Sequence, residues 1–271
     1  MQMSNINPVV SILINNYNKA KFCQKAVRSA LYQDYKRIEV IFFDDGSSDS
    51  SVKIIKKLKK KHNNIKILEG KERGEIFWQN QFNAIRNSLK ICKGKIVCIL
   101  DSDDFFKKNK IRKVVDFFKK NKKSEIVFDH PILFSSSKQE EVRNKYLNRK
   151  NKWPKFPPTS CLSFQKKSLK KYINKINYKD MNELWFDFRI STFYSLKRNQ
   201  FNLINDNLTF YRQNSDSYDK KYMKFINREW WNRRYQAFLF LRKLSNKKFS
   251  KNIFTFDYLI TLIINKIFLI N

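Results

Sequence analysis

The sequence predicts an α/β fold: a mostly parallel sheet flanked by helices, with a helical C-terminal extension. Two observations carry that expectation. Short apolar, β-branched runs alternate with helical-period stretches from residue 9 to residue 128, which demands right-handed crossovers and a sheet covered on both faces. Two acidic clusters also follow directly on apolar runs, and ligands of open α/β sheets bind beyond the carboxyl ends of strands.

The first run, Val-Val-Ser-Ile-Leu-Ile at residues 9–14, is too short and too β-branched for a helix and reads as a buried parallel strand. Residues 19–32 then place Phe22, Ala26, Val27, Ala30 and Leu31 at helical spacing. A second strand over residues 38–43 stops at Asp44-Asp45-Gly46-Ser47. Ser48 or Asp49 can cap the next helix, whose stripe is Val52, Ile55 and Leu58. Residues 65–68 give a third strand and residues 75–93 a helix; residues 95–100 give a fourth strand running into Asp101-Ser102-Asp103-Asp104. An amphipathic helix at residues 110–120 and a strand at 125–128 complete the regular series.

Beyond residue 135 the order loosens. Residues 135–155 are charged and polar, a loop by composition, and Pro154, Pro157 and Pro158 interrupt regular structure. A short strand is expected at 162–164, with helices at 183–196 and 222–244, the latter carrying Trp230, Trp231, Phe238 and Leu241. Residues 254–270 are strongly apolar but contain Asp257 and Lys266. That falls short of the ~20 apolar residues needed to span a bilayer, so a packed or interfacial helix is expected. The expected division is an α/β domain over residues 1–204 and a helical region over residues 205–271, a candidate membrane contact.

The net charge is +33. AT-rich codon bias, an anionic membrane surface and nucleic acid compete to explain it, the last ranking lowest. Lys56, Lys57 and Lys59 to Lys61 lie on an expected helix without the interleaved aromatics of a base-stacking platform. Cys23, Cys92, Cys98 and Cys161 show no metal-knuckle spacing and read as reduced thiols. Two histidines exclude a multi-histidine metal site. The N-terminus shows no signal-peptide pattern, so a cytoplasmic location is expected, peripheral on the inner membrane face if the charge serves lipid.

Carboxylates after a buried strand gather the hard oxygens that divalent cations prefer. An acidic residue at a neighbouring strand end can accept a pyrimidine N–H, and Tyr17 offers an aromatic face for the base. Each feature alone also fits an ordinary turn or helix start.

Together they resemble glycosyltransferase family 2, which has the GT-A fold. Residues 8–18 (Pro-Val-Val-Ser-Ile-Leu-Ile-Asn-Asn-Tyr-Asn) are similar to its opening strand and loop, residues 38–49 to its second strand and acidic turn, and residues 94–105 to its D-x-D segment. The resemblance covers about the first 130 residues. It implies an inverting transferase for an NDP-sugar, a UDP-sugar above all, with Mg²⁺ or Mn²⁺ across the diphosphate. Tyr17 would stack on the base, Asp45 with support from Asp44 would bind its edge, and Asp101 would contact the ribose. Asp103 and Asp104 would hold the metal, and Arg86 is the nearest match to a basic or amide residue of the preceding helix. Counting back from Arg189 in Met181-Asn-Glu-Leu-Trp-Phe-Asp-Phe-Arg189 makes Glu183 the catalytic base, with Asp180 in reserve and Asp187 behind it. Arg212 and Asn214 fall in a segment similar to Tyr-Arg-x-His, where Asn214 replaces the histidine; Ser160 sits in an expected acceptor region. The implied acceptor is a cell-surface glycan or glycolipid. A polyprenyl-phosphate sugar synthase and a non-enzymatic nucleic-acid binder stay open at this point.

Overall fold

The computed structural model describes residues 7–70, 73–135, 138–141, 156–213, 227–244 and 256–270. Most of the expected 135–155 loop, residues 222–226 and Asn214 lie outside them. The chain runs β1 (Val10–Asn16), α1 (Ala20–Leu31), β2 (Ile38–Asp44), α2 (Ser51–Lys59), β3 (Ile65–Glu69), α3 (Phe77–Ile91) and β4 (Ile96–Asp101). There follow β5 (Phe105–Phe106), α4 (Lys110–Lys120), β6 (Ile126–Phe134), β7 (Gln139–Glu141), β8 (Leu162–Gln165), α5 (Lys166–Tyr172), α6 (Phe186–Lys197) and β9 (Leu203–Arg212). Two helices, α7 (Arg228–Leu244) and α8 (Phe256–Ile270), close the order.

Period-two alternation in the apolar strands divides the core in two. Val10, Ile12 and Ile14 of β1 join Val40 and Phe42 of β2 and Cys98 and Leu100 of β4 on one face, beneath α1, α2 and α4. Leu13, Ile41, Val97 and Ile99 point the other way, into a core completed by α3, α5, α6 and α7. Because both faces are covered, these strands carry near-continuous apolar runs, broken by Ser11 in β1 and Glu39 in β2.

The strand order is β3-β2-β1-β4-β8-β6-β9-β5, with β7 on β6. β1 pairs with β2 and β4, and β2 with β3, all in parallel, the sense that the alternation predicts. Beyond β4 the sheet becomes mixed: β8 is antiparallel to both β4 and β6, and β9 is parallel to β6 but antiparallel to β5. β6 runs past residue 128, where the expected strand stopped, and its register against β9 shifts around Pro131. Proline has no N–H for the ladder, which explains a break in register there. β9 was absent from the sequence expectation because Asn205-Asp206-Asn207 mask its pattern; it crosses the division placed after residue 204. α6 begins at Phe186 rather than at residue 183. No helix among the described residues is long and apolar enough to cross a membrane.

At the amino ends of the strands, opposite the acidic turns, Glu39 accepts from Ser11 Oγ (2.6 Å), Lys66 Nζ (2.8 Å) and the Lys93 amide. Burial pushes its carboxyl up, but these donors outweigh that and hold it below the usual glutamate value. Gly94 is tied to the same place, since an added Cβ would lie 2.5 Å from the Ser11 nitrogen and Oγ.

Candidate functional site

A cavity of about 940 Å³ opens beyond the carboxyl ends of β1, β2 and β4. Asn15, Tyr17, Asp45, Arg73, Asp101 and Asp103 are among its walls. The Arg73 guanidinium lies 3.8 Å from the Tyr17 ring centroid, and its Nη1 is 3.0 Å from Asp45 Oδ2. Burial pushes the Asp45 carboxyl up; Arg73 opposes this and Asp44 adds to it. Arg73 was missed in the sequence. Its one available signal was position, in the charged link between β3 and α3, where Gly74 is pinned by two hydrogen bonds with the Asn80 side chain. Both amide atoms of Asn15 are buried without a hydrogen-bond partner, beside the cavity. A ligand with polar edges would satisfy them.

Asp44 turns away. It accepts from Asn16 Nδ2 (2.7 Å), Ser47 Oγ (2.7 Å) and the Ser47 amide (2.8 Å), fastening the acidic turn to β1. Gly46 permits that turn with a φ of 76°.

The second cluster divides as well. Asp101 accepts from Gln81 Nε2 at 3.3 Å, and Asp103 meets Lys19 Nζ at 2.7 Å, both carboxylates lining the cavity. Removal from bulk water, then repulsion from Asp103 and Asp187, pushes Asp101 up to about 7, against Gln81 and Lys19. Asp104 is buried, accepting from Ser160 Oγ (2.6 Å) and from the Arg212 amide (2.8 Å). Burial and its two acidic neighbours raise it well above the usual range. Its oxygens are committed inside the protein, and Ser160 is buried with it, away from the cavity.

Behind this pair lies a buried ionic knot. Lys110 Nζ is 2.8 Å from Asp129 Oδ2 and donates to the Ser160 carbonyl (2.7 Å) and Thr209 Oγ1 (2.6 Å). It locks α4, β6 and β9 to the turn at Ser160, whose hydroxyl in turn holds Asp104.

No group of three or more His, Cys, Asp or Glu among the described residues is arranged to hold a metal. Asp101 and Asp103 nevertheless fit Mg²⁺ or Mn²⁺, which commonly take one or two carboxylates and complete their shell with phosphate and water. Lys19 already sits on Asp103 as a cation would. Arg212 also borders the cavity, with Nε donating to the Asp103 carbonyl (3.0 Å) and its guanidinium between the Phe22 and Phe134 rings.

Phe77, Trp185, Asp187 and Arg233 also line the cavity, the Phe77 ring centroid lying 5.7 Å from the Arg73 guanidinium. Glu183 is not among the cavity walls: it lies in the turn before α6, where its amide donates to Gln236 Oε1 of α7 (2.8 Å). The cause is Arg189. Fully buried, it donates to the carbonyls of Leu184, Ile176, Tyr178 and Met181 and wraps residues 176–184 about its guanidinium. Register counted back from Arg189 therefore leads into a structural loop. Asp187, in the first turn of α6, reaches the cavity instead. Asp180 is exposed and paired with Lys243 at 2.6 Å. Arg86 is exposed and does not line the cavity.

The model of glycosyl transferase family 2 matches residues 11–178. The chain belongs to that family. Among its curated relatives, a glycosyltransferase of Nostoc sp. is 29% identical over 180 residues, 60% of this chain and 52% of that protein. The chain thus spans about half the length of that relative. The Escherichia coli UDP-Glc:alpha-D-GlcNAc-diphosphoundecaprenol beta-1,3-glucosyltransferase WfaP is 38% identical over 103 residues, 38% of either chain. Among solved structures, Staphylococcus aureus TarS with UDP-GlcNAc superposes with a TM-score of 0.63 at 16% identity, covering 89% of this chain and 73% of that one. The Pyrobaculum calidifontis mannosyltransferase PcManGT with GDP-Man and Mn²⁺ gives 0.61 at 15% identity, covering 89% and 66%. These likenesses show the fold, which is the GT-A fold of glycosyltransferases.

Proposed function

We propose that the protein transfers a sugar from an NDP-sugar, a UDP-sugar foremost, to a hydroxyl of a glycan or glycolipid, inverting the anomeric centre. The observation that carries this reading is one cavity with Tyr17 and Asp45 at one strand end, Asp101 and Asp103 at the next, and Asp187 facing them. Tyr17 stacks on the base and Asp45 accepts from its edge, with Arg73 drawing aside from the Tyr17 ring it covers. Asp101 holds the ribose. When bound by Asp101 and Asp103, Mg²⁺ or Mn²⁺ supplies positive charge that offsets the charge developing on a diphosphate leaving group. Lys19 and Arg212 lie where they add to that field.

Asp187 is the base in this reading, in place of Glu183. It takes the proton of the acceptor hydroxyl, which attacks the anomeric carbon opposite the departing diphosphate. A base must come within roughly 2.6–3.2 Å of that proton's oxygen, directly or through one water. Trp185, Phe77 and Arg233 offer the stacking faces and donors that suit a sugar acceptor. The name of the E. coli relative favours a lipid-linked acceptor, and residues 205–271 then form the acceptor or membrane side at the cytoplasmic face.

Calorimetry with UDP and GDP, with and without Mn²⁺, followed by mass spectrometry of products on lipid-linked sugar and polyprenyl-phosphate acceptors, tests the reading. Absence of nucleotide binding in every condition would sink it. Product on polyprenyl phosphate alone would replace the acceptor with the bare lipid phosphate.

A further inference from the structure

Helix α8 is mounted with its apolar side outward. The face toward the protein carries Tyr258, Thr261 and Asn265, all buried. The outward face carries Phe256, Leu259, Ile263 and Ile267, exposed to 79%, 49%, 57% and 51%. At about 100° of turn per residue these four share one arc of roughly 80°, and the exposed Lys266 stands at its edge. Helices that pack for their own stability turn such residues inward. Polar contacts hold α8 this way round. Arg234 of α7 donates from Nε to Thr261 Oγ1 (3.0 Å) and from Nη2 to Asp257 Oδ2 (2.8 Å). Beneath them Phe238, Leu241 and Tyr258 form a small apolar cluster. The stripe is therefore fixed outward by contacts it does not itself make.

Charge selects the partner. Residues 228–270 contain nine basic residues and two acidic ones, in a chain of net charge +33. A second copy would bring the same positive field against itself. An anionic lipid surface attracts each nearby Lys or Arg, and an apolar stripe with basic flanks is the pattern of a helix lying in the bilayer interface. Lys266 can lay its stem along the stripe and place its ammonium among lipid phosphates. With no membrane-crossing helix among the described residues, the contact lies in the plane of the surface.

We infer that α8 docks the protein on an anionic bilayer through Phe256, Leu259, Ile263 and Ile267. This deepens the proposed transfer and rests on it only for the reason the protein meets lipid. α7, which carries α8 through Arg234, also brings the adjacent Arg233 to the cavity wall, so docking brings that wall near the lipid surface.

The test is sedimentation of the full chain with phosphatidylcholine vesicles, with and without phosphatidylglycerol. Wild type pellets with the anionic vesicles, and combining Leu259→Asp with Ile263→Asp lowers partitioning at least tenfold, while circular dichroism and UDP binding stay unchanged. Should the double aspartate variant fail to fold, Leu259→Ser with Ile263→Ser gives the same direction of loss. Pelleting of a folded variant as well as wild type overturns the inference, as does no pelleting of wild type. So does a wild-type dimer in sedimentation velocity that the substitutions dissociate, since the stripe would then face a second copy. UDP binding is read separately, so failure of the transferase reading leaves the lipid result standing.

Discussion

The two walls of the cavity, donor and acceptor in the proposed function, are built by different means. On the donor side, Tyr17, Asp45, Asp101 and Asp103 follow directly on the ends of strands whose register is set by parallel pairing. Their neighbours Asp44 and Asp104, one residue away in each cluster, are consumed in fastening the turns. On the acceptor side the positions depend on side chains that gather a loop: Gln236 of α7 accepts from the Glu183 amide, 53 residues away, and the Arg189 guanidinium holds four carbonyls 5 to 13 residues before it. A carboxylate at a strand end is placed by the strand. A carboxylate in a wrapped loop is placed by whatever the loop wraps around, so chemistry and structure are harder to separate there.

The largest effect expected from this contrast falls on the acceptor wall. Asp187→Asn should lower turnover by about 10²–10⁴-fold with UDP affinity nearly unchanged, whereas Glu183→Gln should keep turnover within a few-fold. Steady-state rates alongside calorimetry decide between them; the reverse pattern would return the base to Glu183. Next in size is the knot behind the donor wall. Asp129→Ala leaves the Lys110 ammonium buried and unpaired, and a loss of about 3–5 kcal/mol is expected in urea unfolding. Since Lys110 also supports Ser160, nucleotide affinity should fall together with stability.

Tyr17→Ala should weaken UDP binding by about tenfold, from the ~1–3 kcal/mol that an aromatic face contributes to base stacking, with the melting temperature hardly moved because the ring is already 37% exposed. The smallest effect belongs to the far end of the sheet. Glu39 is held below its ordinary value, so its contribution is complete above the unfolded glutamate range and is lost as pH falls through the folded value. The melting-temperature gap between wild type and Glu39→Gln should therefore narrow on acidification. A gap that widens would mean the Lys66 and Ser11 contacts do not stabilise the carboxylate.

The alternation of β1 through β4 with α1 through α3 was legible in the sequence because each strand is buried on both faces and each helix on one, and those periods differ. The placement of Asp45, Asp101 and Asp103 at strand ends beside one cavity was legible for the same reason, as strand ends follow from strand patterns. β9 was not, because three successive polar residues interrupt it: Asn205 is exposed, Asp206 meets Lys113 at 3.2 Å, and only Asn207 is buried, its Nδ2 donating to the Pro131 carbonyl of β6 (2.9 Å). Arg73 was hidden in a charged loop whose arginine has no local pattern to distinguish it.

By itself, then, the sequence determined the α/β class, the order of the first four strands and the two acidic turns. Burial of apolar side chains at a local period fixes those, whatever the remainder of the chain does. Only the tertiary structure decided which acid of each cluster faces the cavity, that Asp187 reaches it while Glu183 does not, and that α8 turns its apolar stripe outward. Each of those outcomes depends on a polar partner that no local period sets: the Arg212 amide and Ser160 for Asp104, the buried Arg189 for the loop before α6, and Arg234 for α8. A buried polar group must find a partner wherever the fold supplies one, and sequence spacing carries no record of that choice.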